Sequence, residues 1–147
     1  MLLKALSFIV VIQVVAISGY PQEFMIKNKK SGMVLDGTKQ KINITGWAHK
    51  NSQLWTIEFS SIPGYYIISN VANRKALDAS PLTKALSTYP KHGKRTQRWK
   101  LTTIDETRFQ VQRHPNDFMI QKNDKVVLGP KQNDDSDKWI LVVAHSV

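Results

Sequence analysis

Three tryptophans recur along the chain at a nearly constant interval, and each stands at the start of a short apolar run. They lie in Gln53-Leu54-Trp55, Gln97-Arg98-Trp99 and Asp137-Lys138-Trp139, with intervals of 44 residues (55 to 99) and 40 residues (99 to 139). An interval of about 40 residues is typical of structural repeats, in which each unit buries its apolar face against its neighbours. The chain is therefore predicted to contain three copies of one unit.

The rest of each unit follows the same order. Each opens with an aromatic-containing, β-like run, at residues 24–28, 65–70 and 109–113. Asp36, Asp78 and Gln121 each lie eight residues after the end of their run. This spacing predicts one shared register for the three units, with Gln121 at the position that is acidic in the other two.

The sequence pattern within the units is typical of β-strands throughout. Short apolar runs are separated by turn residues such as Asp36-Gly37 and Gly129-Pro130, where a positive φ at glycine or the fixed φ of proline turns the chain. No stretch has a helical period. The sequence predicts an all-β fold in which three pseudo-symmetric repeats of about four strands form a small closed barrel with a hairpin cap. Closure removes exposed sheet edges, which suits a chain without cysteine.

The repeats resemble those of the ricin-B, or R-type, lectins, whose β-trefoil units carry Gln-x-Trp near their ends. Two signatures are intact, and Asp137 replaces glutamine in the third. The resemblance covers essentially residues 19–147 and implies a single β-trefoil domain. Alternation along a strand predicts that the signature tryptophans are core residues. The resemblance implies that Gln53 and Gln97 hold a loop by hydrogen bonds.

Lectins of this resemblance bind sugar with an acidic residue early in the unit and an aromatic ring in the following loop. A carboxylate accepts charge-assisted hydrogen bonds from sugar hydroxyls, and the ring covers the apolar face of the sugar. Asp36 with Trp47 and Asp78 with Tyr89 fit this description, and both pairs are 11 residues apart. The family's ligands suggest galactose-type sugars. The alternative is that these residues serve turns and cover the barrel mouth.

Departures from the family pattern argue against some of these pockets. The asparagine expected just before the signature glutamine is Ser52 in unit one and Thr96 in unit two, although Asn51 could substitute for it. Unit three has Gln121 at the acidic position and no aromatic residue in the loop that follows. Its pocket is predicted to be inactive.

Basic residues exceed acidic ones by 21 to 11, for a formal net charge of +10. The densest positive segment contains Lys91, Lys94 and Arg95. Such segments are typical of sites for sulfated glycosaminoglycans or other polyanions, and an acidic protein surface is a further candidate partner. The alternative is a solvated loop that only keeps the chain soluble.

Residues 1–18 have the pattern of a secretory signal peptide, with Lys4 before an apolar run and small residues at Ala16 and Ser18. The apolar run is too short for a bilayer-spanning helix, so no integral membrane segment is expected. Secretion makes genomic nucleic acid an unlikely partner. It also makes Asn43 a candidate glycosylation site, since Asn43-Ile44-Thr45 is a sequon, and a glycan there would shield Trp47.

Nothing in the sequence indicates catalysis. The histidines lack metal-ligand spacing, there is no nucleophile motif, and no phosphate-binding glycine loop is present, so neither an enzyme nor a cofactor is expected. Two hypotheses follow, both for a secreted monomer. One is a binding module for carbohydrate or sulfated glycan. The other is a salivary or venom-type effector that modulates host vasculature or haemostasis by binding a protein through its basic surface.

Overall fold

The computed structural model describes residues 21–103 and 106–144, which form twelve β-strands in three groups of four. The predicted signal peptide lies outside the described residues. Unit one contains β1 (Glu23–Asn28), β2 (Val34–Asp36), β3 (Asn43–Thr45) and β4 (Trp55–Phe59); unit two contains β5 (Tyr66–Asn70), β6 (Ala76–Ala79), β7 (Leu86–Tyr89) and β8 (Trp99–Thr103); unit three contains β9 (Thr107–Val111), β10 (Phe118–Lys122), β11 (Lys125–Gly129) and β12 (Trp139–Val143). One 3-10 turn precedes the last strand of each unit, at Asn51–Gln53, Arg95–Gln97 and Asp135–Asp137.

The first and last strands of the units close a barrel. Antiparallel pairing runs from β1 to β4, β5, β8, β9 and β12, and β12 pairs with β1 again. The remaining strands form the hairpins β2–β3, β6–β7 and β10–β11, and β11 also pairs with β3. The predicted all-β trefoil of three four-stranded units is confirmed.

The three signature tryptophans occupy equivalent positions at the centre of this architecture. Trp55, Trp99 and Trp139 are fully buried. Each indole N–H donates to a backbone carbonyl of its own unit's hairpin, that of Leu35, Leu77 or Met119, at 3.0–3.1 Å. The indole therefore joins barrel to cap while its one polar atom remains paired, which is what a buried tryptophan requires.

The signature glutamine holds the loop that precedes it. The side-chain carbonyl of Gln97 accepts from the backbone N–H groups of His92 and Gly93, and its amide donates to the Pro90 carbonyl. Gln53 makes the corresponding bonds in unit one. In unit three, the shorter Asp137 cannot donate; it accepts from the Gln132 N–H and pairs with Arg108 at 3.4 Å.

Strand pairing corrects the predicted register of unit three. Asp36 lies opposite Asn43, Asp78 opposite Ser87, and the corresponding residue of the third hairpin is Ile120, opposite Val127. Gln121, which spacing had placed at the acidic position, is one residue further on. The spacing was counted from Arg113, but β9 ends two residues earlier, at Val111. The loop before β10 is longer by one residue than its counterparts, which offsets only one of those two residues, so the count of eight ends one residue too late.

The turn at Asp36-Gly37 also differs from the prediction. Gly37 does not have a positive φ, whereas Gly32, Gly64 and Gly93 do. A Cβ atom at Gly37 would lie 2.6 Å from the side-chain nitrogen of Asn70 and 3.2 Å from the Trp55 ring. Glycine is required at this position because the chain passes close to the neighbouring unit.

Candidate functional site

Asp36, the acidic residue of unit one, is buried beneath its own loop. One carboxylate oxygen accepts from the backbone N–H and the hydroxyl of Thr38, and the other accepts from the Thr45 hydroxyl. Burial raises the pKa of the Asp36 carboxyl, but hydrogen bonds from Thr38, Thr45 and Ser52 outweigh it and hold that pKa below its ordinary value. Both oxygens already have protein partners, which leaves little capacity for a ligand.

Asp78, its counterpart in unit two, is held differently. Its Oδ2 atom accepts from the Gln97 amide at 2.8 Å and lies 3.4 Å from the Thr96 hydroxyl and from His92 Nε2. Its Oδ1 atom makes no hydrogen bond to the described residues and is not sealed from solvent. The protein therefore occupies one carboxylate oxygen of Asp78, and the other oxygen remains available to accept hydrogen bonds.

The histidine beside Asp78 has a defined orientation. Its Nδ1 atom accepts from the backbone N–H of Lys94 at 3.0 Å. In the neutral ring this places the proton on Nε2, the nitrogen nearer to Asp78. His92 Nε2 thereby faces the same carboxylate oxygen, Oδ2, that accepts from Gln97.

Asp78 opens into a cleft, here called the Asp78 cleft, of about 360 Å3. It is lined by Asp78, Ser80, Pro81, Ser87, Tyr89, His92 and Thr96. Tyr89 is 49% exposed, and its ring lies 6.1 Å from that of His92. The cleft thus combines a carboxylate, two serine hydroxyls and an aromatic ring, and its volume is within the roughly 300–1,000 Å3 of small-molecule sites.

Trp47 and Tyr89, which the sequence predicted to be equivalent, do not occupy equivalent positions in the two units. Tyr89 and Thr45 each precede their signature glutamine by eight residues, and each lies opposite the first residue of its hairpin pairing, Ala76 or Val34. The counterpart of Tyr89 is therefore Thr45. Trp47 is half-buried against the apolar cluster of Met25, Val34 and Leu54. A saccharide site at Asp36 and Trp47 remains a prediction that this geometry does not favour.

Unit three lacks both elements of the cleft. Ile120 stands where Asp78 does, and Gly129, opposite Phe118, stands where Tyr89 does. The absence of a carboxylate and of an aromatic ring at these positions supports the predicted inactive pocket, with Ile120 rather than Gln121 as the reason. Among the described residues, only unit two has both an acidic residue and an exposed aromatic ring at these two hairpin positions.

Two other predicted residues lie on unit one. Asn51 is exposed at the first position of its 3-10 turn. Asn43 is half-buried on β3, opposite Asp36 and Lys125. The hydroxyl of Thr45, the last residue of the sequon, donates to Asp36 and accepts from Gln53. Glycosylation of Asn43 stays a prediction.

The predicted basic residues are divided between two surfaces. Lys94 and Arg95 line a cleft of about 610 Å3 together with Arg98 and Arg113. Lys91 instead pairs with Glu58 and lines a separate cleft that also contains Glu23. Sequence reasoning placed Arg98 only in the basic segment and did not assign a role to Arg113 or Ser87. Counting back from Gln97 rather than forward from Asp78 would have aligned the hairpins correctly.

The described residues contain neither a cluster of metal-binding side chains nor a membrane-spanning helix. No group of three or more His, Asp or Glu side chains there could hold a metal ion. No helix of that part of the chain is long and apolar enough to cross a membrane.

A closed six-stranded barrel, a cap of three hairpins and a repeated signature tryptophan define a β-trefoil. The family model described as "Ricin-type beta-trefoil lectin domain-like" matches residues 51–146, more than half of the chain, and the chain belongs to this family. A search of curated protein sequences found no significant match.

Solved structures of similar fold include three whose identity with this chain is low. A Clostridium perfringens GlcNAcα1-4Gal-releasing endo-β-galactosidase has 17% identity and a TM-score of 0.75; the match covers 84% of this chain but only 32% of that one. Polyporus squamosus lectin, bound to Neu5Acα2-6Galβ1-4GlcNAc, has 18% identity, a TM-score of 0.73 and coverage of 82% and 48%. SeviL bound to asialo-GM1 saccharide has 22% identity, a TM-score of 0.69 and coverage of 84% and 98%. At these identities the likeness establishes the fold.

Proposed function

We propose that this protein is a secreted, non-enzymatic lectin that binds saccharide in the Asp78 cleft. The observation that carries the proposal is the free Oδ1 atom of Asp78 beside the exposed ring of Tyr89. The oxygen accepts hydrogen bonds from sugar hydroxyls, and the ring packs against the apolar face of the sugar. The saccharides bound by two proteins of similar fold support this ligand class.

The charge of the chain favours acidic glycans over neutral ones. A net charge of +10 attracts sulfated or otherwise anionic saccharides and raises their local concentration at the surface. Secretion, which the pattern of residues 1–18 predicts, would bring the protein to cell-surface and matrix glycans. Neutral galactose-type sugars are the alternative ligand, since neither lysine nor arginine lines the cleft itself.

A glycan array tests this proposal with a matched pair of variants. Tyr89→Ala is expected to weaken binding about tenfold on every glycan that binds, because the sugar loses its apolar partner. Phe59→Ala removes another exposed ring, which does not line the Asp78 cleft, and is expected to leave binding unchanged. Equal losses in the two variants, or no binding by the wild type, would contradict the proposal.

A second candidate is the protein-binding effector. Leu82, in the turn between β6 and β7, is 92% exposed, and its neighbour Pro81 lines the cleft that contains Lys94 and Arg95. This basic surface suits an acidic protein partner, and Leu82 offers that partner an apolar contact. A wild-type protein that binds no glycan in the array, neutral or anionic, would favour this function.

A further inference from the structure

The Asp78 cleft adjoins a second cleft, here called the arginine cleft. It is lined by Pro81, His92, Lys94, Arg95, Thr96, Arg98 and Arg113, and encloses about 610 Å3. Three of these residues, Pro81, His92 and Thr96, line both clefts. The two clefts are therefore adjacent and both open to solvent, so a ligand that fills the Asp78 cleft can extend across His92 and Thr96 into the arginine cleft.

The two clefts have opposite electrostatic character. The Asp78 cleft contains a carboxylate, whereas the arginine cleft contains Lys94, Arg95, Arg98 and Arg113. None of these four cations forms an ion pair with a carboxylate in the described part of the chain. Four cations without an acidic partner among the described residues therefore line a single cleft beside Asp78.

Arg98 is held in place before any ligand arrives. Its Nε–H donates to the Gly93 carbonyl at 2.7 Å, and its Nη1 donates to Gln112 Oε1 at 3.0 Å. Three of its five N–H donors make no hydrogen bond to the described residues. A guanidinium fixed in this way loses little side-chain entropy when it binds the paired oxygens of a sulfate or carboxylate.

Arg113 completes the wall from the neighbouring unit. Its backbone N–H donates to the Arg95 carbonyl at 3.2 Å, which joins the loop after β9 to the 3-10 turn before β8. The side chain is exposed and makes no hydrogen bond to the described residues. Two guanidinium groups from different units thus line one cleft. A single anionic group can contact both, whereas isolated surface cations would each contact it alone.

We propose that the two clefts form one bipartite site for an acidic oligosaccharide, with a neutral ring in the Asp78 cleft and the anionic group of the same ligand in the arginine cleft. Arg98 and Arg113 determine specificity for the anionic group, which is a sulfate or a carboxylate. The inference rests on the proposed function, because it requires a sugar beside Asp78. It differs from diffuse polyanion binding because both clefts must be occupied by one molecule.

An array that carries the same backbones in neutral, sulfated and sialylated form tests this inference. At low salt, at least one anionic form is expected to bind about tenfold more tightly than its neutral parent. Arg113→Gln is expected to remove most of that advantage and to leave the neutral parent unchanged. Arg74→Gln removes the same charge from an exposed position in the separate cleft that Lys91 and Glu23 line, and is the matched control. Comparison of sulfated with sialylated forms identifies the anion.

The outcomes separate this inference from the function on which it rests. Neutral and anionic forms that bind equally, or an advantage lost equally in Arg74→Gln, would overturn the bipartite site while lectin function stands. Anionic binding that survives Asp78→Asn would also overturn it, since the sugar cleft would then be dispensable. If no form binds, both the bipartite site and the proposed lectin function are wrong. Arg98→Gln, with thermal unfolding as a check on the fold, is expected to reproduce the Arg113→Gln result.

Discussion

Replacement of Trp99 by alanine is expected to lower the free energy of unfolding by about 3–5 kcal/mol. The indole is fully buried at the centre of the barrel, and its N–H donates to the Leu77 carbonyl at 3.0 Å. Removal of the ring leaves a cavity in the main core cluster, whose residues come from all three units, and an unpaired carbonyl in the β6–β7 hairpin. Urea unfolding followed by circular dichroism measures the change.

Trp47→Ala is the matched control for this experiment. Trp47 is half-buried against the smaller apolar cluster and stands outside the signature series. Its removal is expected to cost about 1 kcal/mol, because only part of the ring is withdrawn from water. A Trp47→Ala cost as large as that of Trp99→Ala would contradict the distinction between core and loop tryptophans.

Replacement of Asp78 by asparagine is expected to weaken saccharide binding by about 10- to 100-fold. Hydrogen bonds to a charged group contribute about 1.5–3 kcal/mol, and the amide loses the charge on the oxygen that faces the cleft. The substitution preserves shape, and the new amide oxygen can still accept from the Gln97 side chain, so the fold is expected to persist. Isothermal titration calorimetry measures the change with the best-binding glycan from the array.

Asp36→Asn removes the same charge from unit one. Both Asp36 oxygens already accept hydrogen bonds from Thr38 and Thr45, so the substitution is expected to lower stability and leave glycan affinity unchanged. If Asp36→Asn weakens binding as much as Asp78→Asn does, the assignment of the site to unit two is wrong.

The barrel and its core were predictable from sequence because they depend on local pattern. Trp55, Trp99 and Trp139 each begin a short apolar run after the same signature, and strand alternation directs their rings inward. The same packing requirement applies in each unit, so the repeat was visible without knowledge of the loops. The loop-holding role of Gln97 followed from the family resemblance.

The site was harder to predict because hairpin lengths vary between units. Asp36 and Asn43 are paired across seven residues of chain, whereas Asp78 and Ser87 are paired across nine. The equal spacing from Asp36 to Trp47 and from Asp78 to Tyr89 is therefore a coincidence. A surface turn tolerates such insertions at little cost, so counting residues across it does not preserve equivalence.

The difference between the two aspartates depends on side-chain geometry. Thr45 reaches Asp36 across the hairpin and occupies an oxygen, whereas the residue at its position in unit two is Tyr89, which leaves Asp78 Oδ1 free. Both threonine and tyrosine suit a β-strand, so propensity does not separate them. The arginine cleft was equally hidden, since Arg98 and Arg113 belong to different units in sequence and meet only in the folded chain.

Backbone amide shifts during titration with a bound glycan test most directly whether unit two holds the saccharide. The account predicts that the shifts concentrate at Asp78, Ser87, Tyr89, His92 and Thr96, extend to Arg98 and Arg113 for an acidic glycan, and saturate at one ligand per chain. Shifts that instead concentrate around Thr38, Thr45 and Trp47, or that saturate at two or three ligands per chain, would contradict it.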